Sequence, residues 1–159
     1  MRHLILLCLL LCANAFAVEP PKSDTTGAAG KCRPVRLSED VKLRWTTLYV
    51  HNNGPGTVDM ICTPTIDTSP AGTVAFGAVL HNTTGLTVTV VCTATINTAG
   101  QGPRLITRHL MVSPGKHHRF GWYASELNTR TLVGGQGGFL CALPPGFSLQ
   151  GVWTQGQAN

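Results

Sequence analysis

Thr87-Val88-Thr89-Val90-Val91-Cys92-Thr93-Ala94-Thr95-Ile96 alternates apolar with hydroxylic side chains, and only Val91 breaks the pattern. A period of two marks a strand with one buried face. Val88, Val90, Cys92, Ala94 and Ile96 then face a core, whereas Thr87, Thr89, Thr93 and Thr95 face outward, so the cysteine is inside. A near copy, Thr57-Val58-Asp59-Met60-Ile61-Cys62-Thr63-Pro64-Thr65-Ile66, stands 30 residues earlier, and a third cysteine strand, Phe139-Leu140-Cys141-Ala142-Leu143, comes later.

Around these three strands the chain reads as all-β. Arg44-Trp45-Thr46-Thr47-Leu48-Tyr49-Val50-His51 is rich in β formers and predicts one strand. His51-Asn52-Asn53-Gly54-Pro55-Gly56 supplies a turn, because Asn and Gly tolerate positive φ and Pro presets the bend. Asp67-Thr68-Ser69-Pro70-Ala71-Gly72 turns the chain into a strand over residues 73–80, and His81-Asn82-Thr83-Thr84-Gly85 turns it into the Cys92 strand. Residues 97–103 read as a loop and 104–112 as a strand. Pro114-Gly115 predicts a type II turn, with residues 116–123 as the hairpin partner. Residues 147–153 close the set. Ser38-Glu39-Asp40 and residues 124–128 each suit a single helical turn, and Gly134-Gly135-Gln136-Gly137-Gly138 a glycine-rich approach to the Cys141 strand. About eight short, evenly spaced strands predict an antiparallel β-sandwich, Ig-like or jelly-roll.

The whole-chain properties agree. A length of 159 residues suits one domain with a sizeable core. The charged share is 12%, about half the usual globular value, which favours strands over solvated helices. Residues 1–17 read as a secretory signal: Arg2 and His3, an apolar run from Leu4 to Cys12, and the small-x-small site Ala15-Phe16-Ala17. The apolar run is too short to span a bilayer, and no second hydrophobic segment follows. Lipid attachment at Cys12 is the other reading of this leader, set back by bulky Leu11 where a small residue belongs. Residues 18–31, bearing Pro, Gly, Ser and Thr without apolar periodicity, read as a flexible lead-in. Residues 32–159 form the domain, and the expected location is secreted or periplasmic. The net charge of +5 falls to +4 once Arg2 is removed, and a mild basic excess names no partner.

Loss of the leader removes Cys8 and Cys12 and leaves Cys32, Cys62, Cys92 and Cys141, an even count that predicts two disulfides in an oxidising compartment. A thiolate metal site is the rival, yet the spacings contain no C-x-x-C knuckle. Of the three pairings, Cys32 with Cys62 and Cys92 with Cys141 is expected. Cys92 and Cys141 have apolar or small same-face neighbours and reach one interior, while Cys32 fastens the lead-in to the first half of the sandwich. The main rival joins the repeat-related Cys62 and Cys92. Residues 51–68 and 81–98, aligned without gaps, agree at nine of eighteen positions. That pattern is either a duplicated hairpin or two Thr/Val strands converging by composition.

An early Cys32-Arg33-Pro34, the run Val58-Asp59-Met60-Ile61-Cys62-Thr63-Pro64, Val90-Val91-Cys92-Thr93-Ala94, and Phe139-Leu140-Cys141-Ala142-Leu143-Pro144-Pro145-Gly146 resemble a group of uncharacterised secreted bacterial β-sandwich proteins with a four-cysteine pattern. The resemblance spans most of the mature chain and implies a fold and an exported location, with no activity to carry over.

Motifs exclude more functions than they name. No Gly-x-Ser-x-Gly elbow is present, Ser113, Ser125 and Ser148 have no recognisable base nearby, and the glycine run lacks the Gly-Lys-Ser/Thr ending of a phosphate loop. His51, His81, His109, His117 and His118 have neither H-x-H nor helical i, i+4 spacing, and no cofactor is expected. His51 and His81 sit at matching strand ends and converge if the two repeat units lie side by side. Arg104, Arg108, Lys116 and Arg119, with three histidines and no acid among them, would gather on a hairpin folded at Pro114-Gly115. Such a patch suits a surface glycan or another polyanion. The bland reading is a pair of solvated strands whose charges discourage edge pairing. Trp45, Trp122 and Trp153 suit either sugar stacking or the core. Asn82-Thr83-Thr84 also matches a glycosylation acceptor. The expected function is therefore a non-catalytic structural or binding role. The alternatives are a carbohydrate- or polyanion-binding module and a secreted enzyme or metal-binding protein.

Overall fold

The structure, a computed structural model, describes residues 23–66, 72–98, 102–127, 132 and 137–156. The leader at residues 1–17, the start of the lead-in and most of the turn at 67–72 lie outside these residues. Two antiparallel sheets pack face to face, as the alternating patterns require. The first sheet runs in the order β3 (Leu43–Trp45), β4 (Val50–Asn52), β11 (Phe147–Gly156), β6 (Thr73–Asn82), β9 (His117–Tyr123), with β1 (Ser23–Gly27) also paired to β11. The second runs β2 (Cys32–Pro34), β5 (Val58–Cys62), β10 (Gly137–Leu143), β7 (Val88–Thr98), β8 (Gly102–Val112). A short 3-10 helix spans Leu37–Lys42 and another Ala124–Leu127, where single turns are expected.

The expected face of the Cys92 strand is the observed one: Val90, Cys92, Ala94 and Ile96 are buried, and Thr89, Val91 and Thr95 are exposed. Between the sheets, Phe76, Phe120 and Trp122 of the first meet Phe139 of the second, with Trp122 5.5 Å from Phe76 and 5.4 Å from Phe139 between ring centroids. Such pairs add to area burial. The Trp122 indole N–H donates to the Ile106 carbonyl at 3.0 Å, which uses one backbone group of the long edge strand β8. Both disulfides have the expected partners. Cys32 lies directly opposite Cys62, and Cys141 opposite Cys92, each pair with Cα atoms 4.1 Å apart. They tie β2 to β5 and β10 to β7 within the second sheet.

The internal repeat is structural. Asn52 and Asn82 end β4 and β6 in the first sheet, are fully buried, and anchor the arch that carries the chain across to β5 and β7. The Asn52 amide donates to the carbonyls of Gly56 and Leu143 at 2.9 and 2.8 Å, and its oxygen accepts from the Gly54 N–H. The Asn82 amide does the same with Leu86 and Val112, both at 2.8 Å, and its oxygen accepts from the Thr84 N–H and hydroxyl. Leu143 and Val112 end the strands paired to β5 and β7, so each side chain stitches the two sheets together. After each of those strands comes a Pro-Gly pair, and Gly146 (φ 73°) and Gly115 (φ 65°) donate their N–H to the carbonyls of Asn52 and Asn82. Positive φ at these two positions is why glycine is required. One unit is thus β4, β5, β10, β11, and the other is β6, β7, β8, β9.

Several expectations are corrected. The stretch from Arg44 to His51 is two strands. The Thr46 hydroxyl accepts the N–H of Leu48 and of Tyr49 and folds the chain back, placing Trp45 opposite Val50. The lead-in over residues 18–31, expected to be flexible, contains β1, an exposed strand held by backbone pairing to β11. With β2 this brings the described strands to eleven. Residues 112–117 do not form a hairpin: β8 pairs with β7 in the second sheet and β9 with β6 in the first, so the chain crosses between sheets at Pro114-Gly115. Asn82 is fully buried with both amide hydrogens engaged, which removes Asn82-Thr83-Thr84 as a glycosylation acceptor.

Asn82→Ala leaves two carbonyls and an N–H without their partner, and we expect it to lower unfolding free energy by roughly 2–4 kcal/mol. Asn53→Ala, at the exposed neighbour of Asn52, should stay within about 0.5 kcal/mol. Denaturant unfolding of the two variants checks the contrast.

Candidate functional site

The crossing at Pro114-Gly115 divides the expected cationic hairpin. Arg104 and Arg108 lie opposite Ile96 and Cys92 on the inward-facing side of β8. Arg108 pairs with Glu126 of the Ala124–Leu127 turn, and Glu126 also accepts the Tyr123 N–H at 2.8 Å. An inward-pointing charge on an edge strand guards that edge against further pairing. Arg119 is on the outer face of the other sheet, its guanidinium 4.3 Å above the Trp153 ring centroid and bonded to the Ser23 hydroxyl at 3.4 Å. Lys116 is exposed in the crossing itself. The four cations therefore do not form one surface.

The tryptophans divide as well. Trp122 is core, and Trp153 is buried against the outer face of the first sheet, where Gly77 and Gly121 lie beneath it in register. A Cβ on Gly121 would overlap its ring. Trp45 donates its indole N–H to Asp40 at 2.7 Å.

A different constellation does assemble. Across the first sheet, Arg44 is opposite His51, His51 opposite Ser148, Ser148 opposite His81, and His81 opposite His117. Directly opposed residues share a face. Five successive strands, β3-β4-β11-β6-β9, thus present one polar row on the outer face. It is a product of the repeat, because His51 and Ser148 are opposed in one unit as His81 and His117 are in the other. The expected convergence of His51 and His81 occurs with Ser148 interposed. His51 Nδ1 and the Ser148 hydroxyl share a 2.7 Å hydrogen bond, and the His81 and His117 rings stack in parallel with centroids 4.2 Å apart. Tyr49, Asn53, Thr83 and Gln150 join Arg44, His51, His81 and Ser148 around a concavity of about 380 Å³.

Two of the histidines are held below the ordinary imidazole pKa of 6.5. For His51 burial is the largest cause, followed by the Arg44 charge and then His81; for His81 burial leads, followed by His117. Both are thus neutral at pH 7. A serine bonded to a neutral imidazole is the start of a nucleophile and base pair, but among the described residues no carboxylate lines the concavity to orient the ring. The donors and acceptors suit reversible hydrogen bonding. Among the described residues no group of three or more His, Cys, Asp or Glu is disposed to hold a metal ion. His109 and His118 are on other faces: His109 is opposite Val91 on the outer side of the second sheet, and His118 is opposite Leu80 at the inward side of β9.

A half-buried histidine held neutral in the fold destabilises it where acid forces protonation. The folded pKa of His51 is lowered, so its contribution is fully present above about pH 6.5 and is lost as pH falls through the folded value. Proton NMR titration should give midpoints below 6.5 for His51 and His81. Arg44→Gln should raise the His51 midpoint. A His51 midpoint at or above 6.5 in the folded protein contradicts this environment.

No known family and no curated protein matches the chain. Among solved structures it is similar to TmCBM61 in complex with beta-1,4-galactotriose, with a TM-score of 0.35 and 12% identity over 89% of this chain and 86% of that one. At that level the likeness assigns neither a ligand nor a site.

Proposed function

We propose that the protein is exported to the periplasm or the exterior and is a non-catalytic binding module whose ligand is a surface glycan held on the outer face of the first sheet. The observation that carries this reading is the aligned row Arg44, His51, Ser148, His81, His117 with its concavity. Polyhydroxylated ligands are recognised by convergent groups that both donate and accept, beside an aromatic or apolar surface. Asn53 and Gln150 supply amides, Thr83 and Ser148 hydroxyls, Arg44 donors alone, and Tyr49 and the histidine rings flat faces. The two disulfides support the exported location, since such bonds persist in oxidising compartments. Among the described residues no helix is long and apolar enough to cross a membrane. Membership in the four-cysteine group of secreted bacterial proteins belongs to the same reading.

A glycan array identifies the ligand, and titration of variants locates it. Tyr49→Ala and Gln150→Ala should each weaken binding by about tenfold, the loss of one good contact. Arg104→Ala, on the inward side of β8 and away from the row, should leave affinity within about twofold. The reverse ranking would return the site to the segment between residues 104 and 119, and an array with no bound glycan would remove the reading.

A further inference from the structure

The row carries an unbalanced electrostatic character. Arg44, His51, His81 and His117 come from four different strands, and only Ser148 interrupts them. At the strand spacing of about 4.8 Å the row extends roughly 19 Å. The described groups that line the concavity beside it are neutral or cationic. Tyr49 and Asn53 come from the loops flanking β4, Gln150 from β11 and Thr83 from the end of β6. On its own strand His117 is preceded by Lys116 and followed two residues on by Arg119, which shares its face opposite Val79. Among the described residues no Asp or Glu lines the concavity. Among the described residues two cations elsewhere have acidic partners: Arg108 has Glu126 and Lys42 has Glu39 at 3.7 Å. Among the described residues the row has no acidic partner; Arg44 and His117 at its ends are exposed, His51 and His81 are half-buried and Ser148 is buried between them.

We propose that this row is an oxyanion site, and that its ligand is an acidic saccharide whose carboxylate or sulfate groups lie along Arg44, His51, His81 and His117. The proposal rests on the reading of this face as a glycan site and names the class of glycan. Arg44 supplies a permanent charge and fork-like donors suited to an oxyanion. The Ser148 hydroxyl, buried between two imidazoles, accepts from the His51 Nδ1–H once that ring is protonated and holds it in line. Burial, and after it repulsion from Arg44 and between neighbouring rings, opposes protonation of the empty site. A bound oxyanion cancels that repulsion, so the ligand and protons enter together. By linkage, whatever raises the histidine pKa on binding strengthens binding as pH falls. A row of imidazoles is thus a site that fills in mildly acidic surroundings and empties near neutrality or above.

The test is calorimetric titration of the mature protein with three oligosaccharides of equal length: an oligogalacturonate, a sulfated oligosaccharide and an uncharged oligogalactan. Each is measured at about pH 5 and about pH 8, either side of the imidazole range. At least one acidic saccharide should bind about tenfold or more tighter at the lower pH, with net proton uptake read from buffers of different ionisation enthalpy. Which acidic arm binds identifies carboxylate or sulfate as the source. Arg44→Gln should weaken it at both pH values. His51→Gln with His81→Gln should flatten the pH dependence, and His117→Gln, on the exposed edge, provides the same readout should the double variant fail to fold. Equal binding of the uncharged saccharide at both pH values, weakened by Tyr49→Ala, overturns the oxyanion assignment and leaves the glycan reading standing. No binding of any of the three, or binding indifferent to all these substitutions, overturns both.

Discussion

Two buried asparagine side chains hold the architecture in register. A carboxamide has two donors and an acceptor with two lone pairs, and Asn52 and Asn82 each use the donors on two backbone carbonyls and the oxygen on the turn that follows. A fully buried polar group is stabilising only when so satisfied, and losing it leaves several backbone groups dry at once. Each amide reaches from the end of a first-sheet strand to the terminal carbonyl of a second-sheet strand. The distance between the sheets, the path of the arch and the position of the following Pro-Gly crossing are fixed together. The disulfides then lock the second sheet on either side of the β5 and β10 pair, where they limit the unfolded chain over separations of 30 and 49 residues.

Because this arrangement occurs twice and the two units stand side by side, positions equivalent in the repeat fall on one line across the first sheet. His51 and His81 immediately precede the two asparagines. Each has the residue after its crossing turn directly opposite, Ser148 in one case and His117 in the other. Adjacency of β11 and β6 joins the two pairs, and the β3 to β4 turn adds Arg44 at the end. The polar row is thus a consequence of the repeated arrangement. Its departures from symmetry, Ser148 for an imidazole and Arg44 at one side only, give it a direction.

What was legible in the sequence is what periodicity and covalent chemistry report. The alternation of residues 87–96 gave the buried face of the Cys92 strand, and the apolar neighbours of Cys92 and Cys141 pointed to their bond. Three features were hidden for physical reasons. An exposed strand such as Ser23–Gly27 has no apolar period and is held in the sheet by backbone pairing to β11. The Thr46 turn lies within β-forming residues, because a hydroxyl capping two N–H groups needs neither Gly nor Pro. Pro-Gly at residues 114–115 serves a hairpin and a crossing equally well, and the choice depends on Asn82, a residue more than thirty positions away. That misreading assembled Arg104, Arg108, Lys116 and Arg119 into a patch that the fold takes apart. The matching His-Asn pairs at 51–52 and 81–82 were the available signal for the true row, but only the order of strands in the sheet shows that Ser148 and His117 complete it.

The central claim, that five residues distant in sequence form one binding surface, is tested most directly by mapping amide chemical-shift changes in a nitrogen-labelled sample as an acidic oligosaccharide is added at about pH 5. The account predicts that Arg44, His51, His81, His117 and Ser148 shift together with a single midpoint, with Tyr49 and Gln150 following. Shifts centred on the outer face of the second sheet, around Thr93, Thr107 and Leu140, or confined to the segment from Arg104 to Lys116, would contradict it.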